Sequence, residues 1–426
     1  GSNGGEQANS IIQTSDGNLV VAGYTNSNNV DVSGNHGSGD YWVVKISNDD
    51  GSIIWQKTLG GGDRDEAHSI IEASDGDLVV VGVTPSNDGD VTGNHGDRDY
   101  WVAKINSNDG SIVWQNALGG SSGDGASSII ETTDGNLVVA GGTNSNDGDV
   151  YGNHGSSDCW VVKISAKDGS IIWQKTLGGI RGDGAYAIIK TSDGNLVIAG
   201  NSYSNDGDVS GNHGNLDAWV VKISSNDGRI IWQKTLGGSD YDSANSIIET
   251  SDGSFVVAGE TYSNDGDVSG NHGGFDYWVV KISPDDGGII WQKTLGGSKD
   301  DYANSIIETS DGNLVVAGYS ISNDGDVSGN HAIRGYDDYW VVKISAGLSI
   351  LQKDYSDSVF SIVEPMPDAE NIDMGKVLVG MGKDSVISKF MKNIGSYPFR
   401  VDSIYITGAD AAAFSLVAGI PQYTIN

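Results

Sequence analysis

YWVVKISPDDGGIIWQKTL, residues 277 to 295, is two apolar runs on either side of a PDDGG break. Tyr277 to Ser283 and Ile289 to Leu295 are rich in Val, Ile and Trp. β-branched runs joined by an Asp-Gly break read as an antiparallel hairpin. No segment of the chain shows convincing helical periodicity. Two further runs complete the same unit, Ser246 to Glu249 and Phe255 to Gly259. Between them lie the SDG break and the long SNDGDVSGNHGGFD loop.

The unit repeats. The Trp of the YWVVKI string falls at Trp42, Trp101, Trp160, Trp219, Trp278 and Trp340, a spacing of 59 residues four times and then 62. A second Trp follows at Trp55, Trp114, Trp173, Trp232 and Trp291; the sixth unit has Leu351 there after a two-residue deletion. Four antiparallel strands per unit, six times over, predict an all-β fold, a six-bladed β-propeller, over residues 1–354. Strands are named A to D within each blade, with A innermost. One blade cannot bury both faces, so ring closure is expected to supply the burial.

The string ISSNDGRIIWQ, 223 to 233, resembles the strand–turn–strand segment of quinoprotein-type propeller repeats. Gly228 and Trp232 carry the spacing, and the resemblance implies a Trp docked between blades. The whole unit, with LGGS, DGNLVVAGYT, NDGDVSGNHG and DYWVVKI, resembles arrays in secreted or cell-surface proteins of Bacteroidetes-like bacteria. After the sixth unit, NIDMGKVLVG (371 to 380), KNIGSYPFRVDSIYITG (392 to 408) and AFSL (413 to 416) resemble the Ig-like choice-of-anchor D modules, related to ASH domains. That implies a partial β-sandwich over 355–426, a spacer or anchor, within a chain that continues past Asn426.

Composition narrows the function. The 426 residues carry a formal net charge of −33. This argues against nucleic acid, which demands a basic surface, and against anionic membrane surfaces. No run of 18 apolar residues is present to span a membrane. Cys159 is the only cysteine, so a disulfide framework is excluded; it stands where sibling repeats have Tyr or Ala and reads as a buried thiol. No organic cofactor is expected.

The long B–C loop carries the chemistry. With Asp265 as position one, Asp267, Ser269 and Asp276 fall at positions three, five and twelve, and Gly270 at six. This resembles the EF-hand-like loop of dockerins, and hard cations want several oxygens around a sharp glycine turn. Calcium ligands are therefore expected at Asp88, Asp90 and Asp99; at Asp206, Asp208, Ser210 and Asp217; at Asp265, Asp267, Ser269 and Asp276; and at Asp324, Asp326, Ser328 and Asp338. Two weaker copies offer Asp31 and Asp40, where Asn29 holds position one, and Asp147, Asp149 and Asp158, where Tyr151 holds position five. The competing reading is an Asx turn, in which the same side chains accept from nearby backbone N–H groups.

The D–A connection supplies a second acidic set, Glu6, Asp65, Asp124, Asp183, Asp242 and Asp301, each two residues before an Ala. Antiparallel order puts B–C and D–A on one face, where these acids are expected to meet a ligand. His36, His95, His154, His213, His272 and His331 each follow Gly-Asn in the B–C loop and are expected to be structural, since zinc needs three or four clustered ligands. His68 is expected to be exposed.

Catalysis needs an asymmetric cluster, and the departures from six-fold symmetry look scattered. SNDDG (47 to 51) resembles a sialidase Asp box, but its aromatic is one residue late; the six arginines form no trio. The expected function is a non-enzymatic, secreted or cell-surface binding propeller, with a glycan or surface protein as ligand on the acidic face. A structural spacer and a carbohydrate-active glycosidase or lyase are the alternatives.

Overall fold

The computed structural model describes residues 4–331, 337–345 and 350–355, together with paired dipeptides at 372–373, 392–393, 399–400 and 424–425. The chain divides into two units, Gly1–Asp357 and Ser358–Asn426. In blade 4 strand A is Asp183–Lys190, B is Leu196–Ser202, C is Asp217–Ile223 and D is Ile230–Leu236. Their order in the sheet is the chain order, and the other five blades repeat it. The first unit is an all-β, six-bladed propeller of four-stranded antiparallel blades, and each blade supplies its own four strands.

Turn chemistry sets the hairpins. At the A–B turn of blade 4, Thr191 Oγ1 donates to Asp193 Oδ1 (2.5 Å) and Thr191 N to Asn195 O (3.0 Å). At the C–D turn Gly228 takes φ +69° and donates to Ser224 O at 2.9 Å. A Cβ on that glycine would stand 3.0 Å from the ring of Trp173 in the preceding blade. So the D-strand Trp of one blade docks on the glycine turn of the next, as the repeat resemblance implied. Its indole also donates forward: Trp232 Nε1 reaches Pro284 O at 3.1 Å.

Strand alternation builds the seams. In the DYW string, Tyr277 turns toward blade 6, where its ring lies 4.5 Å from Trp340 and its hydroxyl donates to Trp340 O at 2.8 Å. Its neighbour Trp278 turns the other way, into a cluster with Val197, Ala199, Val220 and Leu236 of blade 4. Four more such clusters give five packed seams. The outward faces of the end blades differ. Ile11 of blade 1 is 62% exposed where Ile70 of blade 2 is 2%, and Tyr339 of blade 6 is 74% exposed where Tyr41 is 0%. Burial by the neighbouring blade therefore reaches five seams among the described residues.

Buried lysines tie the opposite ends of the strands. Lys45 Nζ pairs with Asp16 of its own A–B turn (2.6 Å) and donates to Ser107 O of the next blade (3.1 Å). The Lys45 bond, with that of Thr14, holds the Asp16 carboxyl well below its usual range. Lys163 repeats the link to Asp134 and Ser225 O.

In the second unit Ile372–Asp373 pairs antiparallel with Lys392–Asn393, and Phe399–Arg400 with Thr424–Ile425. The Ig-like module expected there otherwise lies outside the described residues. Among the described residues, no helix is long and apolar enough to cross a membrane.

Candidate functional site

The D strands of blades 1 to 5 each run out through Leu-Gly-Gly, and those glycines are where the two acidic loop sets meet. A Cβ on Gly60 would stand 2.5 Å from Asp65 Oδ2 and 2.9 Å from Asp40 Oδ1. Only a residue without a side chain passes between the two carboxyls. The Asn-Asp-Gly-Asp of blade 2 lies on this segment: Asp90 N donates to Gly60 O (2.9 Å) and Gly62 N to Asp88 Oδ1 (2.7 Å). The B–C and D–A loops thus share one face, as antiparallel order requires.

Asp65 is fully engaged. Its Oδ1 accepts from Thr84 Oγ1, and its Oδ2 accepts from Gly61 N (2.8 Å) and Ser86 Oγ (3.1 Å). Asp124, Asp183 and Asp242 repeat the arrangement in their blades, and Asp301 accepts likewise from Gly297 N and Ser322 Oγ. Glu6 in blade 1 accepts from Ser27 Oγ (2.5 Å). Asp65, Asp124, Asp183, Asp242 and Asp301, expected to meet a ligand, are therefore buried ties between loops, while Glu6 is half-buried.

Asp40 is half-engaged. Its Oδ2 accepts from His36 N (3.0 Å) and pairs with His36 Nδ1 (2.6 Å), while Oδ1 is buried with no partner. The same oxygen is unpartnered in Asp99, Asp158, Asp217 and Asp276. Each of these five histidines is hydrogen-bonded to the Asp four residues on. In blade 6, His331 N donates to Asp338 Oδ2 at 2.6 Å. His68 is half-buried rather than exposed, because its Nδ1 binds Ala126 O of the next blade at 2.7 Å.

Crowding of carboxyls away from water shifts their titration. Burial pushes Asp65 up to about 6 against the hydrogen bonds from Thr84, Gly61 and Ser86, with Asp40 adding repulsion. Burial likewise pushes Asp276 up to about 6, against the bonds from His272, with Asp301 adding repulsion. Asp40, Asp99, Asp124, Asp158, Asp183, Asp217, Asp242 and Asp301 are raised for the same first cause.

The expected calcium loop is divided by this geometry. Asp88, Asp147, Asp206, Asp265 and Asp324, at position one, cap backbone N–H groups of the preceding D–A connection. Asp90 and Asp149 at position three lie 4.0 Å from His36 and His95 of the blade before, and Asp267 lies 3.9 Å from His213. Asp208 and Asp326 donate their N–H to Gly178 O and Gly296 O of the blade before. Ser210 and Ser269 accept from Gln233 and Gln292 of their own D strands. Position twelve faces the opposite way: Asp99 pairs with His95 beside Asp124 of blade 3. The loop lies flat against its neighbour instead of curling on itself, so one copy's candidate ligands serve two seams. Among the described residues, no group of three or more His, Cys, Asp or Glu is arranged to hold a metal ion.

Positions that differ between blades converge elsewhere. The second and fourth residues of strand A, the sixth of strand B and the residue after strand B vary from copy to copy, as do those just before strands A and C. The fold brings them to the inner rim of the B–C/D–A face. Between blades 4 and 5 they line a half-open cavity of about 360 Å³ walled by Tyr186, Tyr203, Tyr241 and Phe275. Glu260 and Asn245 lie at its blade 5 side. The rings continue onward: Phe275 lies 5.1 Å from Tyr262 and 5.2 Å from Tyr302, which lies 4.9 Å from Tyr319. On blades 1 and 2 the same positions hold different chemistry, with Arg64 4.5 Å over the Tyr24 ring and paired with Glu66 at 2.7 Å. Six copies aligned on one another carry this signal in the sequence; read along the chain, the exceptions look scattered.

Residues 7–215 and 161–330 match the PQQ_2 family model, described as outer membrane protein assembly factor BamB. No curated protein matches the chain. Solved structures similar to it include the β-propeller domain of Myceliophteria thermophila Cps50 (Swd1), at 12% identity and TM-score 0.43, covering 73% of this chain and 80% of that one. BamB from Moraxella catarrhalis matches at 14% identity and TM-score 0.35, covering 82% and 77%. Quinohemoprotein alcohol dehydrogenase from Comamonas testosteroni matches at 10% and 0.43, covering 80% and 60%.

Proposed function

The chain belongs to the PQQ_2 family of BamB-type propeller repeats, and from that premise we propose that it is a non-enzymatic binding scaffold of the cell envelope or cell surface, whose ligand is a protein segment. The carrying observation is that the blade-variable positions meet at one rim and form a tyrosine-walled cavity there. Family membership favours a protein ligand over a glycan, since the family description names an assembly factor. Binding is favoured over hydrolysis because a two-carboxylate mechanism wants two acids flanking one bond. Here Glu260 is the one acid open to the cavity, since Asp242 beside it is buried and hydrogen-bonded through both oxygens.

The test is a combined Tyr203→Ala, Tyr241→Ala and Tyr262→Ala variant, compared with the native chain on arrays of defined peptides and of glycans. Peptide binding that disappears in the variant at an unchanged melting temperature supports the reading. Binding that survives intact places the ligand on another surface, and glycan binding alone replaces the protein ligand. Polysaccharide turnover abolished by Glu260→Gln would establish the enzyme alternative.

A structural calcium ion is the second reading, on the unpartnered Oδ1 of Asp40, Asp99, Asp158, Asp217 and Asp276. An ion there would join Asp40 of one blade to Asp65 of the next instead of completing one loop. A melting temperature raised by calcium and lowered by chelator supports this reading; one indifferent to both removes it.

A further inference from the structure

We propose that the cavity between blades 4 and 5 is a receptor for a single basic side chain, a lysine or arginine, with Glu260 as its counter-charge and the surrounding rings as its walls. The inference rests on the scaffold reading above and names what one part of the ligand must carry.

Shape comes first. About 360 Å³ lies at the small end of ligand sites, enough for one extended side chain. Tyr186, Tyr203 and Tyr241 are exposed and Phe275 is half-buried, so four rings offer faces or edges to whatever enters. Such walls attract cations through the ring quadrupole, arginine and lysine alike.

Charge comes second. Asn245 Nδ2 donates to Glu260 Oε2 (2.5 Å) and is itself held by Ala303 O (2.9 Å). Among the described residues no protein donor reaches Oε1, and no lysine or arginine lines the cavity. The carboxyl is thus positioned by one amide and lacks a cation. Burial pushes it up to about 7 against the Asn245 bond, with Asp242 adding repulsion. A cation entering the cavity would favour the ionised form, so binding releases a proton near neutral pH. A formal charge of −33 on the chain draws basic partners toward it.

The fold does not need the acid. Blade 4 has Asn201 at the same strand position and blade 3 has Gly142, within the same strand register. Glu260→Gln therefore keeps the blade and removes the charge.

The test uses N-acetyl-lysine amide and N-acetyl-arginine amide as probes, with N-acetyl-norleucine amide as the neutral control and chitotriose as the glycan control. Binding to the whole chain is measured by titration calorimetry in two buffers of different ionisation enthalpy. The basic probes are expected to bind and the controls not. Affinity should strengthen as pH rises through about 7, with a buffer-dependent heat that reports the released proton. Glu260→Gln should weaken binding about tenfold or more and flatten the pH dependence. Glu249→Gln, on the opposite side of the blade where Glu249 holds Ser192, should do neither. Equal binding of norleucine amide, preferential binding of chitotriose, unchanged lysine binding in Glu260→Gln, or no binding of any probe would each overturn the proposal. Those outcomes leave the tyrosine-variant test of the scaffold reading unaffected.

Discussion

Replacing Asp276 by Asn should make the protein more stable at pH 8 than the native side chain does. Asp276 is fully buried; His272 occupies its Oδ2 twice, at 3.0 Å and 2.6 Å, and Oδ1 is unpartnered beside Asp301 across Gly296. The sign follows from its titration. Its carboxyl is raised from 3.8 to about 6, so the folded state holds the proton more tightly than the unfolded chain does. The stability this gives is complete below about pH 4 and is lost as pH rises through about 6. A rise from 3.8 to about 6 corresponds to a loss of about 3 kcal/mol by pH 8. An asparagine cannot ionise and escapes that loss. Its carbonyl can keep both bonds from His272, and its NH₂ then takes the place of the unpartnered oxygen, turned toward Asp301 as a donor.

Urea midpoints for Asp276→Asn and the native chain, measured at pH 4, 6 and 8 without added calcium, check this. The difference between the two should move in the variant's favour as pH rises, by up to about 3 kcal/mol. Comparing the two chains at each pH largely cancels the general repulsion of an acidic protein. A variant that loses ground at pH 8 would refute the reasoning, since that is the result of removing a carboxylate from a bound cation. The experiment therefore also decides between a proton and an ion at the seam.

Gly237→Ala should cost about 2–3 kcal/mol, because its Cβ would stand 2.6 Å from Asp242 Oδ2 and 3.0 Å from Asp217 Cγ; chemical denaturation reads it. Val30→Gly should stabilise by about 1 kcal/mol, since Val30 is an exposed β-branched residue at φ +60° where the other blades place glycine; the melting temperature reads it. Trp219→Ala should cost about 3–5 kcal/mol, whereas Tyr339→Ala on the open face of blade 6 should stay within about 0.5 kcal/mol. Cys159 is fully buried, and burial pushes its thiol far above its usual range, so a thiol reagent should label it only as the seam between blades 3 and 4 opens.

Blade order and the shared loop face were legible because each depends on patterns within one repeat; the docking of the D-strand Trp on the next blade was legible only through the resemblance to quinoprotein-type repeats. Strand A was less so. Its visible apolar run begins at Ser246, yet the strand begins at Asp242. A register shift between Ala244 and Ser246 breaks the alternation there, and the preceding residues are polar ties and rim positions. The calcium loop shows a deeper limit. Spacing along a loop predicts ligands for a loop that curls around an ion, whereas Asp88 finds its partner on Gly62 and Asp99 finds its neighbour in Asp124. Both contacts cross a seam between blades, and nothing in the spacing of a single copy encodes which neighbour a flat loop will meet.

The six copies also separate what the fold requires from what it tolerates. Ile54, Ile172, Ile231 and Ile290 are half-exposed at one strand position, and a solvent-facing apolar residue repeated singly on each blade asks for no special account. Tyr203 and Tyr241 are different. Their counterparts in blade 1 are Asn26 and Gly5, and in blade 3 Asn144 and Gly123. Those blades close the same hydrogen bonds without an aromatic ring: Asn144 N reaches Gly123 O at 3.0 Å as Tyr203 N reaches Gly182 O at 2.9 Å. Packing therefore does not explain the rings, and exposing them together carries a solubility cost that a scattered pattern would avoid. They converge with Glu260 on one cavity, and the basic side-chain receptor proposed there accounts for rings that the fold by itself does not require.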